Sequence, residues 1–182
     1  MTFTETKIKG LFLIEPKLWR DDRGYFYESY SKKAFDGAGI YADFVQDNQS
    51  LSQKGALRGL HAQRDPSAQG KLVRVIKGRV MDVAVDIRKN SSTYGEHVVV
   101  ELNETNHNMF WVPAGFLHGF VTLEDDTIFA YKVTSLYDKA SEIGVLWNDQ
   151  DLNIDWGIDP SEVILSEKDK ELSLFKDFIS PF

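Results

Sequence analysis

The sequence predicts an all-β fold in which two sheets pack as a jelly roll or close into a small barrel. Three observations lead there: apolar residues alternate with period two, turn-forming residues recur at short intervals, and few stretches show helical periodicity. The 182-residue chain holds 13 glycines and 13% aromatic residues, which suits short strands joined by tight turns. At that length one domain spanning residues 1–182 can bury a core without covalent staples. No Pro/Gly/Ser linker, internal repeat or low-complexity tract marks a boundary. A sandwich without a ligand cavity is the alternative within the same class.

Strands are expected at Gly10–Glu15, Gly24–Tyr30, Asp43–Asn48 and Leu57–Gln63. The alternation is clearest next, in Lys71–Lys77, where the odd positions share one face and Leu72, Arg74 and Ile76 share the other. After Gly78, the run Met81–Arg88 puts Met81, Val83, Val85 and Ile87 on one face and Asp82, Ala84, Asp86 and Arg88 on the other. Further strands are expected at His97–Asn103, Met109–Val112, Gly119–Leu123 and Ile128–Thr134. Asp22-Arg23-Gly24, Lys77-Gly78, Lys89-Asn90-Ser91-Ser92 and Glu124-Asp125-Asp126 supply the turns. Two helices are expected, a short one at Lys32–Ala38 and one over the charged tail Ser166–Lys176. The second starts at a Ser cap followed by acidic residues that suit a helix N-terminus.

Composition narrows the chemistry. There are no cysteines, which excludes disulfides, thiolate nucleophiles and cysteine-bound zinc. A formal charge of −7 argues against a general nucleic-acid binder. The opening Met1–Gly10 lacks the apolar core of a signal peptide, and no apolar run approaches the ~20 residues of a membrane span. The expectation is therefore cytoplasmic residence without a membrane partner.

Four histidines remain as candidates for acid–base or metal chemistry. His97 and His107 sit in polar, turn-flanked surroundings and read as surface residues. His61 and His118 lie among glycine and apolar residues. The segment Pro113-Ala114-Gly115-Phe116-Leu117-His118 resembles the second signature of cupins, which are double-stranded β-helix jelly rolls. Metal-binding cupins add a His-x-His pair, and here the corresponding stretch reads His61-Ala62-Gln63. The broken spacing disfavours a metal site. What remains is proton transfer by His, Lys, Tyr and carboxylates. His61, with Arg58, Gln63, Gln69 and Lys71 around it, suits proton abstraction because a free imidazole titrates near ~6.5. Lys71 can stabilise a developing oxyanion. Tyr131 shares a strand face with Phe129 and Val133, and from alternation alone it reads as core.

The chain closely resembles the dTDP-4-dehydrorhamnose 3,5-epimerase family over nearly its whole length. The resemblance is carried by Asp22-Arg23-Gly24-Tyr25-Phe26 with Glu28, Phe44–Asn48, Leu57-Arg58-Gly59-Leu60-His61 and Gln69–Arg74. It continues in Asp82–Arg88, Pro113–Phe120, Trp147-Asn148-Asp149 and Leu165–Asp169. It implies a cupin-type jelly roll with a few short helices and a metal-free, cofactor-free epimerase of a dTDP-4-keto-6-deoxy sugar. At matching positions it implies His61 as base paired with Asp169, Lys71 as enolate stabiliser and Tyr131 as proton donor. Arg23, Glu28, Gln46, Asp47, Asn48, Arg58, His118, Glu142 and Lys168 would surround the substrate. It further implies a homodimer exchanging amino-terminal strands, so that Arg23 and Glu28 serve the partner's site. The chain departs from the family at Trp156-Gly157, where a proline commonly follows the tryptophan, and Phe175–Phe182 matches no family motif. Related enzymes epimerise one carbon only while keeping much of the same residue set.

Overall fold

A computed structural model describes all residues 1–182. The first half of the chain holds β1 (Thr2–Glu5), β2 (Phe12–Glu15), β3 (Trp19–Asp21), β4 (Gly24–Phe26), α1 (Lys32–Gly37), β5 (Gln46–Ser52), β6 (Leu57–Gln63), β7 (Lys71–Lys77) and β8 (Arg79–Asp86). The second half holds β9 (His97–Asn103), β10 (Met109–Val112), β11 (Phe116–Thr122), β12 (Thr127–Val133), β13 (Glu142–Gly144) and α2 (Glu167–Lys170). One sheet has the order β1-β2-β10-β7-β12-β5 and a second β13-β6-β11-β8-β9; β3 and β4 form a separate hairpin arm. The pairings within these sheets are antiparallel.

The two large sheets face each other as a jelly roll, and their inner faces make the main core. Val73 and Val75 of β7, Phe129 of β12, Val80 and Ala84 of β8, and Phe116 and Phe120 of β11 meet there. The Phe120 and Phe129 rings stack across the gap with centroids 3.9 Å apart. At one end this filling gives way to a cavity, so the alternative without one does not hold. The alternation within β8 has an outcome that hydropathy does not suggest. Its more polar face, with Asp82, Ala84 and Asp86, turns inward between the sheets. Its apolar face, with Val83 and Val85, packs outward under the carboxyl-terminal segment around Trp147, Leu152 and Trp156. A third cluster, around Phe35 of α1, covers the outer side of β2, β7 and β10.

Several elements differ from expectation. The strand expected at Asp43–Asn48 lies further on, at Gln46–Ser52, because pairing with β12 runs from Val133↔Gln46 to Thr127↔Ser52. Thr2–Glu5 and Trp19–Asp21 are additional strands, and the strand beginning at Gly24 stops at Phe26. The helix expected over Ser166–Lys176 is a single turn, Glu167–Lys170, with Ser166 as its cap. Beyond it the chain is drawn out along β13: Ser173 bridges to Val145 and Phe175 N–H reaches Asp149. So short a helix has little stability of its own, and tertiary contacts override its propensity.

Candidate active site

A cavity of about 800 Å³ opens between the two sheets. Its walls are built by strand parity. On β5, burial alternates so that Gln46, Asn48 and Ser50 point inward while Asp47 and Gln49 are exposed. On β12, Phe129 and Tyr131 face the cavity, and Lys71 enters from the first position of β7. The opposite wall comes from β6 and β11, which place His61 and His118 directly opposite each other in register.

The β6 wall depends on a break in regular pairing. His118 pairs with His61 but Phe120 pairs with Arg58, so β6 carries one residue more than β11 over this interval. Residues three apart in a regular strand point to opposite faces. The bulge turns Arg58 and His61 toward the same cavity. Gly59 permits it: at φ +140° it lies against β11, where a Cβ would come 2.5 Å from Gly119 Cα.

His61 Nε2 lies 2.5 Å from Asp169 Oδ1, which α2 delivers over the end of β6. Burial pushes the Asp169 carboxyl upward, but the hydrogen bond with His61 and the imidazole's charge outweigh it and hold the group below its ordinary value. An ionised Asp169 keeps the proton on Nε2 and leaves the Nδ1 lone pair as the basic site. His118 has a partner too, with Nε2 at 2.9 and 3.0 Å from the two Asp82 oxygens. Asp82 is fully buried, and desolvation raises its carboxyl above the ordinary value despite the opposing pull of His118 and Lys71. The two pairs are electrostatically unequal. His61 is the more exposed of the two imidazoles and is backed by the more acidic carboxylate.

Burial pulls the Lys71 ammonium down to about 8, against the charges of Asp82 and Glu142. Burial raises the Tyr131 phenol, against the charge of Arg58, so its hydroxyl stays protonated and able to donate. At the mouth, Lys168 Nζ donates to Glu142 Oε1 at 2.5 Å and the Tyr137 hydroxyl donates to Glu142 Oε2 at 3.1 Å. The Glu142 carboxyl is raised by burial but lowered more by Lys168 and His61. No three His, Asp or Glu side chains converge as a metal-binding set.

Ten of the thirteen residues singled out by sequence thus line one cavity: His61, Lys71, Tyr131, Asp169, Gln46, Asn48, Arg58, His118, Glu142 and Lys168. Three do not. Asp47 lies on the other face of β5, paired with Lys132 at 2.9 Å. Arg23 stands on the β3–β4 arm, its side chain 90% exposed and paired with Asp21, and Glu28 follows that arm as another exposed residue. Tyr137, Ser50 and Ser166 line the cavity without having been singled out. The legible signal for Ser50 was the all-polar run Gln46-Asp47-Asn48-Gln49-Ser50 inside a strand, because a strand wholly polar on its inner face needs water or ligand there. The local polarity of Asn106-His107-Asn108 misled in the other direction. His107 is 5% exposed, its ring 4.6 Å from Tyr25 and 5.3 Å from Tyr27, because the β3–β4 arm folds back over the loop.

Residues 5–177 match the family model described as dTDP-4-dehydrorhamnose 3,5-epimerase. The chain belongs to this family. A dTDP-4-dehydrorhamnose 3,5-epimerase of Methanothermobacter thermautotrophicus is 48% identical, over 92% of this chain and 91% of its own. The crystal structure of the Elizabethkingia anophelis dTDP-4-dehydrorhamnose 3,5-epimerase superposes with a TM-score of 0.94 at 49% identity, covering 97% of both chains. A Legionella pneumophila dTDP-6-deoxy-D-glucose-3,5-epimerase, solved in complex with dTDP-4-keto-L-rhamnose, gives 0.93 at 46% identity, covering 98% of this chain and 94% of that one. The dTDP-4-dehydrorhamnose 3,5-epimerase fold is accordingly the cupin-like jelly roll expected from the sequence. Within this family member, His61 and Tyr131 reach the cavity from different sheets.

Proposed function

We propose that the protein epimerises dTDP-4-dehydro-6-deoxy-D-glucose at C3 and C5, giving dTDP-4-dehydro-L-rhamnose in the formation of dTDP-L-rhamnose. The observation that carries this reading is the His61–Asp169 pair at 2.5 Å in a cavity shared with Lys71 and Tyr131. A ketone at C4 acidifies the hydrogens on C3 and C5, since loss of either leaves an enolate. His61 takes the proton and becomes imidazolium, stabilised by Asp169. The Lys71 ammonium lies beside the enolate oxygen, where an oriented charge lowers the barrier most. Tyr131 then gives its hydroxyl proton to the opposite face of the same carbon, which inverts it. His61 returns its proton to solvent and the tyrosinate regains one, so each inversion leaves the enzyme unchanged and needs no redox step.

Gln46, Asn48, Arg58, His118, Glu142 and Lys168 hold the sugar and nucleotide, with Arg58 and Lys168 supplying charge for the diphosphate. Remote binding keeps the sugar in register for two successive abstractions. Arg23 and Glu28 belong to the substrate site only in a homodimer that exchanges amino-terminal segments. The β3–β4 arm supports this, since it presents Trp19, Tyr25 and Phe26 at 47, 53 and 67% exposure beside Arg23. Residues 1–182 act as one unit, in the cytoplasm, and no helix is long and apolar enough to cross a membrane. Turnover in heavy water, followed by NMR, tests the proposal. Deuterium should enter at both C3 and C5; label at one carbon would make the protein a mono-epimerase, and label at neither would refute carbon epimerisation.

A further inference from the structure

The Trp147-Asn148-Asp149 turn contributes nothing to the cavity wall, yet Asp149 is only 3% exposed. Its Oδ1 accepts the backbone N–H groups of Asp151 at 2.9 Å and Leu152 at 3.0 Å, which closes the turn. Its Oδ2 accepts the N–H of Phe175 at 2.8 Å. That third bond reaches into the tail that carries Asp169.

α2, four residues long, cannot fix its own place. Its attachments on either side must do so. Upstream, Ile164 N–H donates to Gly55 O at 2.8 Å and Leu57 N–H to Ile164 O at 3.0 Å. Downstream, Leu172 packs over Gly144, where an added Cβ would come 2.9 Å from Leu172 Cδ2. Leu146 N–H then donates to Ser173 O at 3.0 Å, and Phe175 N–H ends on Asp149. Gly144 pairs directly with His61, so the downstream attachment is seated on the strand neighbouring the base. Among these attachments, the bond to Phe175 is the one accepted by a buried side chain.

We infer that Asp149 is a positioning residue: by holding Phe175 N–H it fixes the stretch after α2 and keeps Asp169 within hydrogen-bond distance of His61. This rests on the proposed role of His61 as base. Asp149→Asn separates the two functions of the carboxylate. An amide has one accepting oxygen, and the two turn N–H groups claim it. That turns the NH₂ toward Phe175 N–H, donor against donor, so the turn is kept and the tail released.

The experiment compares wild type, Asp149→Asn and His61→Asn in steady-state kinetics, with the ¹⁵N chemical shifts of the His61 ring nitrogens measured in the first two. Asp149→Asn should lower kcat by roughly 10- to 100-fold with KM little changed, since small displacements of a catalytic group cost that much. Its His61 nitrogens should lose the single-tautomer pattern set by Asp169. If Asp149→Asn loses only thermal stability, while kcat and the His61 shifts stay at wild-type values, the carboxylate is merely structural and the inference fails. Turnover surviving in His61→Asn would instead refute the role of His61 itself. Should Asp149→Asn not fold, Leu172→Ala loosens the same stretch from Gly144 and carries the same expectation and the same overturning result.

Discussion

Lys71 carries a compromise in one side chain. To stabilise an enolate it must be charged, yet the wall that makes its charge effective also desolvates it and brings it down to about 8. Its charge is complete below that pH and is lost as pH rises through it. On the proposed mechanism kcat/KM, which reports the free enzyme, should therefore fall on the alkaline side with a midpoint near 8. Lys71→Gln should lower kcat by roughly 10²–10³-fold and abolish that limb, because removing one oxyanion donor costs about this much. A pH–rate profile of both proteins checks it; an unchanged alkaline limb in the variant would assign the titration to another group. The same shift bears on stability with a definite sign. Between about 8 and the ordinary value of 10.5 the unfolded chain holds more protons than the native one, so stability rises with pH across that window. Activity and stability thus move in opposite directions there.

The bulge in β6 is what lets one strand supply both a guanidinium and an imidazole to one cavity. Gly59→Ala adds a Cβ 2.5 Å from Gly119 Cα and 3.0 Å from His118 O, at a φ of +140° that L side chains rarely adopt. Both contacts are backbone and cannot swing aside. The substitution should cost about 2 kcal/mol or more in urea unfolding, with activity lost as His61 and Arg58 are displaced. A stability within ~0.5 kcal/mol of wild type would mean the crossing is not tight. This strand also shows where sequence reading reaches and where it stops. Alternation put His61 and Gln63 on one face, and both line the cavity, but a strict period of two sends Arg58 away from them. The glycine inside the strand was the visible sign of a bulge; the parity change it causes belongs to the pairing with β11. Period-two patterning likewise found β7 and β8, yet it could not say that the Asp82 face is the inner one, because that depends on the tail covering the opposite face. The tail's local pattern predicts a longer helix than it forms, since its contacts with Val145 and Asp149 come from residues distant in sequence. Residue types and motif spacing marked the cavity well, while long-range pairing decided its walls.

At the scale of the molecule, the proposed exchange of arms decides which chain's site Arg23 and Glu28 would serve. Arg23 and Glu28 lie outside the cavity of their own chain, on or beside a hairpin that exposes Trp19, Tyr25 and Phe26. A homodimer with crossed arms makes a prediction that no self-contained protomer shares. Arg23→Ala alone should weaken substrate binding, and His61→Asn alone should be inactive. In a dimer combining one protomer of each, the site with an intact His61 receives its arm from the chain with an intact Arg23, and the other site carries both defects. After random exchange about half the dimers are mixed, so at substrate too dilute to fill the Arg23→Ala sites roughly a quarter of the wild-type activity should appear. Each variant is assayed alone, then after joint unfolding and refolding, with dimer composition checked by mass spectrometry of intact complexes. If Arg23 serves its own chain's site instead, every site in the mixed dimer is defective, and mixing restores nothing. Recovery of activity on mixing therefore requires both the dimer and the crossing of its arms, which a measurement of mass alone cannot distinguish.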